Sequence, residues 1–597
     1  MVSDPAVLEP ATAFGVNRSF SGRRWNLREP GAASVRALMQ AGDISNALAH
    51  ILAGRGATPD SLPDILAPTL KRLLPEPNTL KDMERAVARA VLAIANGEKI
   101  AVFGDYDVDG SCSSALMLNF LGALNRPPRL YIPDRMTEGY GPNAAAMRAL
   151  KEEGASVVVT VDCGAAAMAA LTEARAIGVD VIVLDHHAVE TLPPAFAQIN
   201  PNQPGDTSGL AHVCAAGVTF LFLVAVNRAL REQGWYAANA IAEPDLMDQV
   251  DLVGLATICD VVPLVGVNRA FVRTGLAKLS QMSRPGLAAL AAVAKIEAPF
   301  TPYHLGFALG PRINAGGRVG KCSLGAELLS ATGALTAEDA ALLLDTHNRE
   351  RQALESMILD NANVMAATQA NAPFLLVSGE GWHPGVVGIV ASRLKDRFHK
   401  PAFVAGFEGG MGRGSARSIP GIDIGAMVRA AQEAGVLESG GGHAMAAGFS
   451  LSPDRIEHFR EFLGSRFSET GAAFDAANVL ELDALVSPSG ANATLVAEMA
   501  KAGPFGAGNP EPLIVIADAR VVFVDVVGKD HVKFRVAGGD GARLDGIAFR
   551  AAGTPLGDGL LKARGQLIHL AGRLKEDNWN GRSRVQIQLE DAAAAVA

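Results

Sequence analysis

The chain is 597 residues long, 49% hydrophobic and 19% charged, which excludes a mostly disordered protein and, at roughly 100–200 residues per domain, implies about three to five domains. A formal net charge of −9 excludes a globally basic nucleic-acid binder but leaves a local basic groove open, because net charge is silent on distribution. Five scattered cysteines without a CxxC pair argue against a disulfide framework or a thiolate zinc site, and 5% aromatics leave room for only a small base-stacking surface.

Residues 1–75 are rich in Pro and Gly and read as an N-terminal extension wrapped on the first domain. Asp4, Glu9 and two prolines stand where a leader would need an apolar core. The longest apolar candidate, residues 218–226, is too short to span a bilayer. The expectation is a soluble, cytoplasmic protein with no membrane contact.

From Lys99 the pattern becomes β-α-β. Residues 100–103, 130–132, 157–161 and 181–184 read as buried strands, with an apolar stretch of helical spacing over 113–124. Continuous apolar runs joined by helices predict a parallel sheet covered on both faces. Helices dominate from about 211 to 300. A long helix is expected from Thr336, with Asp339 completing a capping-box-like pair and Leu343, Leu354, Ile358 and Met365 on one face. It ends before Asn371-Ala372-Pro373 and serves as an inter-domain connector. A second α/β region opens at 374–377. Beyond about Ala476, short valine-rich segments (513–516, 521–527, 532–536, 568–570 and 585–589) predict a small antiparallel barrel or sandwich. The expected division is 1–75 extension, 76–333 first α/β domain, 334–370 connecting helix, 371–472 second α/β domain and 473–597 β domain.

The strongest chemical signal is Gly104-Asp105-Tyr106-Asp107-Val108-Asp109-Gly110. Three carboxylates at alternating positions directly follow a buried strand. Confining them is costly unless a cation neutralises them. A calcium loop would want Glu at the twelfth position from Asp105, and Leu116 stands there. Asp162 follows the strand 157–161, Asp185-His186-His187 follow the strand 181–184, and Asp260 closes Ile258-Cys259-Asp260. In an open parallel sheet, the carboxyl ends of the strands form the ligand crevice. Carboxylates with imidazole and no sulfur suit Mn²⁺ or Mg²⁺. A two-ion site of this kind performs phosphoester hydrolysis. Of the paired histidines, one reads as a ligand; His187 then either is structural or faces the substrate phosphate.

These motifs (GDYDVDG, VTVDCG, Asp185-His186-His187, CDVVPL) resemble the DHH phosphoesterase superfamily. The fuller set is similar to the RecJ family of bacterial single-strand-specific 5′→3′ DNA exonucleases. Further matching segments are Ile132-Pro133-Asp134-Arg135, Gly310-Pro311-Arg312-Ile313-Asn314-Ala315, Gly414-Ser415-Ala416-Arg417-Ser418, Gly440-Gly441-Gly442-His443 and Pro504-Phe505-Gly506-Ala507-Gly508-Asn509-Pro510. The resemblance covers about residue 75 to the C-terminus.

It implies a DHH domain, a DHHA1-like second domain and a C-terminal OB-like barrel. It implies that Asp107 holds one ion and that Asp162 bridges. Asp109, His186 and Asp260 would hold the other, and His187 would contact the scissile phosphate. Asp105 is either a ligand or a support. Related members carry His where Phe103 stands, which would weaken one ion's hold. Arg135, Arg318, Ser415 and Arg417 match 5′-phosphate contacts, with Arg312 and His443 as further DNA contacts. Residues 382–417 carry six Lys/Arg against two acids, which fits a basic groove or a solvated helix face. Phe534, Phe549 and Trp579 are candidate stacking residues, although core packing suits the two phenylalanines as well.

The implied activity is release of 5′-mononucleotides from single-stranded DNA with two Mn²⁺ or Mg²⁺ ions, in DNA repair and recombination. The expected molecule is a monomer, with a single-strand binding protein and a RecQ-type helicase as partners. The alternatives are another DHH phosphodiesterase, acting on oligoribonucleotides or cyclic dinucleotides, and a noncatalytic DNA-binding relative. The C-terminal barrel argues against the first and the intact acidic set against the second.

Overall fold

The computed structural model describes residues 12–135, 137–369, 371–468, 479–579 and 582–595. The first α/β unit is built on five parallel strands, β1 (Ile100–Gly104), β2 (Arg129–Tyr131), β3 (Val157–Val161), β4 (Asp180–Leu184) and β5 (Ala197–Ile199), in the order β2-β1-β3-β4-β5. β1 and β3 are buried along their whole length, as their unbroken apolar runs require. The order reverses between β1 and β3. Ligands bind at such a switch point, outside the strands' carboxyl ends.

Helix α1 (Val108–Ala123) leaves β1 with only three residues between. It starts five residues earlier than the apolar spacing predicts, because the acidic motif supplies its own N-cap. Helices α2 (Ala215–Glu232) and α3 (Val250–Cys259) complete this core. α4 (Gly310–Val319) follows and leads toward α5 (Ala334–Ala367).

α5 is the expected connector, 34 residues long, or about 51 Å at 1.5 Å per residue. It begins at Ala334, and the capping box does not form. Thr336 Oγ1 instead donates to Gly333 O at 2.9 Å. Its buried face is Ala337, Ala341, Leu344, Asp345, Asn348, Arg351, Glu355 and Ile358, while Leu343 and Met365 are exposed. Buried charges occupy the middle of the stripe: Arg351 Nη1 donates to Glu355 Oε2 at 2.7 Å, and Arg393 Nε to Glu355 Oε1 at 3.1 Å.

The second α/β unit is a mixed sheet. Its strands are β6 (Leu375–Glu380), β7 (Ala402–Glu408), β8 (Met411–Arg417), β9 (Ser439–His443) and β10 (Ala446–Leu451), in the order β9-β10-β8-β7-β6. Helix α6 (Pro384–Phe398) packs between this sheet and α5.

The last unit is a closed five-stranded barrel of β11 (Ile514–Val527), β12 (His531–Ala537), β13 (Arg543–Ala548), β14 (Leu567–Trp579) and β15 (Arg582–Ala594). β11 pairs with both β12 and β14, and β13 runs parallel to β15. The two segments predicted at 513–516 and 521–527 are one bent strand, whose register shifts at Ile516/Ala519 and Val521/Phe523 let it serve two neighbours. Phe534 lies in the barrel core rather than on a binding surface, whereas Phe549 is exposed. The Trp579 side chain lies outside the described residues.

The N-terminal segment is not wrapped on the first domain alone. Its strand Arg24–Leu27 pairs in parallel with Val479–Leu482, and fully buried Trp25 packs against Leu513, Val515 and Ala571 of the barrel unit. Trp25 Nε1 donates to Asp591 Oδ2 at 3.0 Å. Arg269 Nη2, in the first domain, donates to Ile65 O at 2.7 Å and Ala502 O at 2.8 Å, so the segment bridges the two ends of the chain. Among the described residues, no helix is long and apolar enough to cross a membrane.

Candidate metal centre and phosphate pocket

The residues that follow β1, β3 and β4 meet at the switch point. Asp107 caps α1, and its side chain accepts from the Gly110 amide at 3.0 Å. Gly110 has to be glycine: a Cβ there would lie 2.6 Å from Asp105 O. Asp109 therefore sits in the first turn of a helix rather than in a loop. Its oxygens accept from the Ala215 and Ala216 amides at 2.7 and 2.8 Å, at the N-terminus of α2, where a helix dipole favours negative charge. Asp162 adopts a left-handed φ of 60° directly after β3. Asp260 follows the last residue of α3.

The carboxylates and histidines converge in overlapping triads whose ligand atoms lie within 4.8 Å of one another: Asp105, Asp107 and Asp162; Asp109, His186 and Asp260; and Asp162, His186 and His187. His186 Nε2 is 3.4 Å from Asp162 Oδ1, 3.6 Å from Asp260 Oδ2 and 3.9 Å from Asp109 Oδ2. Asp105 Oδ1, Asp162 Oδ1 and Asp260 Oδ2 are buried without a hydrogen-bond partner, although buried polar groups are ordinarily paired. Without a cation, burial and then the neighbouring carboxylates push Asp105 and Asp162 well above the usual carboxylate range. The same causes push Asp109 to about 7 and Asp260 to about 9. Orphaned, crowded, all-oxygen donors with one imidazole fit hard divalent ions. Phe103 is fully buried and stacks on Tyr131 at 5.1 Å, so it belongs to the sheet core and offers no ligand.

The two histidines differ. Burial, then the neighbouring His187, lowers His186 to about 4, which keeps its ring neutral and able to ligate. His187 Nδ1 lies 2.7 Å from Asp185 Oδ1. Burial opposes its charge, but that Asp185 contact outweighs burial and raises His187 to about 9. Asp185 accepts from the amides of Ala165 at 2.9 Å, His186 at 2.7 Å and His187 at 3.2 Å. Burial would raise Asp185, yet His187 and these amides hold it below its ordinary value. Asp185 thus fixes the ring of His187 and the turn carrying both histidines, a role its place in the sequence motif did not reveal. The Tyr140 hydroxyl donates to Asp162 O at 3.0 Å and lies 3.5 Å from His187 Nδ1.

A cavity of about 460 Å³ opens between the two α/β units, with Arg135, Arg318, Ser415 and Arg417 in its wall as expected. Arg413 is a fourth arginine of the wall, which its basic neighbourhood, but no motif, had signalled. None of the lining residues is acidic. Arg318 Nη1 donates to Gly385 O at 2.7 Å, and Arg417 Nη1 to Ser415 Oγ at 2.8 Å. Burial, then the other arginines, lowers Arg318 to about 10, and burial followed by Arg135 lowers Arg417. Cations gathered in a wall that holds no carboxylate of its own make an anion site, and guanidinium forks suit a phosphate. Tyr106 joins pocket and metal centre, because its ring lies 5.2 Å from the Arg135 guanidinium while its neighbours are Asp105 and Asp107. Two expected DNA contacts lie elsewhere. Arg312 is engaged by Asp345 of α5 at 2.9 Å, and exposed His443 is not part of the cavity wall.

Three family models match the chain: the DHH family N-terminal domain over residues 99–249, the DHHA1 domain over 371–469 and the RecJ OB domain over 482–591. Among similar proteins, the single-stranded-DNA-specific exonuclease RecJ of Bacillus subtilis is 34% identical over 582 residues, 96% of this chain and 71% of that protein. The protein of the same name from Escherichia coli is 34% identical over 541 residues, 88% of this chain and 92% of that protein. A crystal structure of RecJ in complex with Mn²⁺ from Thermus thermophilus superposes with a TM-score of 0.79 at 29% identity, covering 96% of this chain and 80% of that one. A Mg²⁺ complex from the same organism gives 0.73 at 27% identity, with 96% and 79% covered.

Proposed function

The chain belongs to the RecJ family of single-stranded-DNA-specific exonucleases, and on that premise we propose how its residues divide the work. The protein is a 5′→3′ exonuclease that releases 5′-mononucleotides from single-stranded DNA, acting in DNA repair and recombination, with Mn²⁺ or Mg²⁺ as cofactor. Asp105, Asp107 and Asp162 would hold one ion and Asp109, His186 and Asp260 the other, with Asp162 placed to serve both. When bound, the two ions lower the pKa of an attacking water and neutralise charge on the phosphoryl group.

The chain's own groups do the rest. Arg135, Arg318, Ser415 and Arg417 grip the terminal 5′-phosphate, and this register places the next phosphate at the acidic cluster. His187, oriented and held cationic by Asp185, faces that phosphate as a contact and proton donor. Water adds to phosphorus as the P–O3′ bond breaks. The first nucleotide leaves with its own 5′-phosphate and a 3′-hydroxyl. The remaining strand acquires a new 5′-phosphate, which the arginines can take up again.

The observation that carries this reading is the acid-free arginine cavity beside a cluster of orphaned carboxylates. A cleft of this kind admits one strand. A duplex must be opened first, which is the reason for assigning a RecQ-type helicase and a single-strand binding protein as partners of a cytoplasmic monomer. Arg312 and His443 would act farther along the strand. The domain limits proposed are 76–333, 371–472 and 473–597, joined by 334–370. The test is a nuclease assay with Mn²⁺ on single strands labelled at either end, a blunt duplex and a dinucleotide. Stepwise mononucleotide release from the 5′ end of single strands alone supports the reading; fast cleavage of the dinucleotide with long DNA untouched would move the protein to another DHH activity.

A further inference from the structure

Asp260 stands where the chain leaves α3, and the residue after it is strained. Val261 is β-branched, 69% exposed and at a φ of 59°, a left-handed conformation that such a side chain keeps only when its surroundings enforce it. The residues that follow are held from two sides. Within the first α/β unit, buried Asn268 donates through Nδ2 to Pro263 O at 2.9 Å and His212 O at 2.6 Å. From the barrel unit, Ala507 O accepts from the amide of buried Leu264 at 2.8 Å.

Ala507 lies in the tight turn Gly506–Asn509, closed by the Gly506 amide to Asn509 O at 3.0 Å and the Asn509 amide to Gly506 O at 3.2 Å. The turn packs directly on the loop: a Cβ on Gly506 would lie 2.8 Å from Leu264 Cδ1 and 3.8 Å from Ile258 Cδ1 of α3. The Asn509 side chain ties the turn to the residues before it, donating to Ala502 O at 3.0 Å and Pro504 O at 2.8 Å. Buried Arg269, on the helix Val267–Leu279 that follows the loop, grips the same residues through Gly503 O at 2.9 Å. The turn is the centre of the Pro504–Pro510 segment, for which the hydrolytic steps themselves have no use.

The turn is anchored in its own right by the N-terminal segment. Arg55 ends the helix Asn46–Gly54. Its Nε and Nη2 lock onto buried Asp483 at 2.8 and 2.7 Å. Such a two-point bond fixes the plane of a guanidinium, and Nη1 then donates to Pro510 O at 2.7 Å and Asn509 Oδ1 at 3.4 Å. Contacts therefore run without a gap from Arg55 through Asn509 and Ala507 to Leu264, four residues from Asp260.

We propose that Arg55 is a positioning residue for the ion held by Asp109, His186 and Asp260: acting through the Gly506–Asn509 turn, it keeps the Val261–Leu264 loop in its strained form and so sets how tightly that position binds a divalent cation. The proposal rests on the two-ion reading and gives the N-terminal segment and the barrel unit a part in the chemistry of the first domain. The other position stands apart from this chain of contacts, because Asp105 and Asp162 directly follow β1 and β3 and Asp107 caps α1.

The test is Mn²⁺ titration calorimetry on the full chain, with single-strand cleavage followed on the same preparations. The variants are Arg55→Met, Asn509→Ala, the two together, and Arg28→Met. Arg28 shares Asp483 with Arg55, at 3.1 Å, but its other ion pair is to Glu481, so it controls for a general loosening of the N-terminal segment. Coupling through packed contacts spans roughly two- to thirtyfold in affinity. Arg55→Met and Asn509→Ala should each raise the Kd of one ion at least about threefold within that range and leave the other within about twofold. The double variant should be no weaker than the weaker single variant, since both act through one turn. Arg28→Met should match wild type, and cleavage by the weakened variants should recover at saturating Mn²⁺. Two ions of unchanged affinity in Arg55→Met, equal weakening of both ions, or the same loss in Arg28→Met overturns the proposal. A wild type that binds fewer than two ions overturns the two-ion reading instead.

Discussion

Replacing Arg417 by Ala isolates the grip on the 5′-phosphate. The Arg417 Nη1 group is already engaged with Ser415 Oγ at 2.8 Å and Ala416 O at 2.9 Å, which leaves its other donors for an anion. A hydrogen bond to a charged group contributes about 1.5–3 kcal/mol. The loss should fall in the lower half of that range, because burial and Arg135 already work against the charge on Arg417, so its removal relieves the remaining cations. About 1.5–2 kcal/mol corresponds to a fall in kcat/KM of roughly 10- to 30-fold. That fall should appear on 5′-phosphorylated single strands. A 5′-hydroxyl strand gives the fork nothing to hold and should change by less than about threefold. The assay is steady-state release of the first nucleotide from matched oligonucleotides that differ only in the terminal phosphate. An equal loss on both strands, or no loss on the phosphorylated one, would refute the assignment of this cavity to the 5′ end.

Other outcomes follow from neighbouring contacts. In the metal-free protein, Asp185→Asn should drop the His187 pKa from about 9 back toward or below its ordinary value near 6.5, as read by NMR titration. Because the folded value is raised, the stability this pair contributes is full below about pH 6.5 and is lost as pH rises through about 9; an unchanged titration would remove Asp185 as the partner. Trp25→Phe removes the hydrogen bond from Nε1 to buried Asp591, at a cost of about 1–3 kcal/mol, so the unfolding midpoint should fall by several degrees. A midpoint equal to wild type would show that the N-terminal strand does not brace the barrel. At Gly508, φ is +67° and a Cβ would lie 2.9 Å from Pro263 Cβ, while the Leu264 amide donates to Ala507 O at 2.8 Å. Gly508→Val should therefore disturb the segment after Asp260 and raise the Mn²⁺ needed for half-maximal activity several-fold, with saturating Mn²⁺ restoring the rate; an unaltered Mn²⁺ titration would sink this coupling.

Much of the site was legible because its ligands stand at the ends of strands that announce themselves. β1, β3 and β4 are runs of apolar residues, and each is followed at once by Asp105, Asp162 or Asp185. The 2-1-3-4-5 strand order then makes those three ends neighbours. Other features left no local mark. Asp109 reads as part of a polar loop, yet it opens α1 because Asp107 caps the helix. Asp185 acts through backbone amides and a ring two residues on, contacts that composition does not encode. Arg413 looks like any surface cation until β8 turns it into the cavity. The buried face of α5 holds Arg351 and Glu355, which neutralise each other there and so break the apolar period used to find it. The N-terminal strand pairs with a partner 455 residues away, as the Arg28–Asp483 contact illustrates, and no local pattern announces such a pairing. The bend in β11 is likewise set by its two neighbours rather than by its own residues.

The most direct test of the account is Mn²⁺ binding by titration calorimetry on wild type, Asp260→Ala and Asp162→Ala, with single-strand cleavage and single-strand binding measured on the same preparations. Two bound ions in the wild type, one in Asp260→Ala, and failure of both positions in Asp162→Ala, with hydrolysis lost and DNA still bound, is the predicted result. A wild type that binds no Mn²⁺, or an Asp162→Ala protein that holds two ions and still cuts, would contradict it.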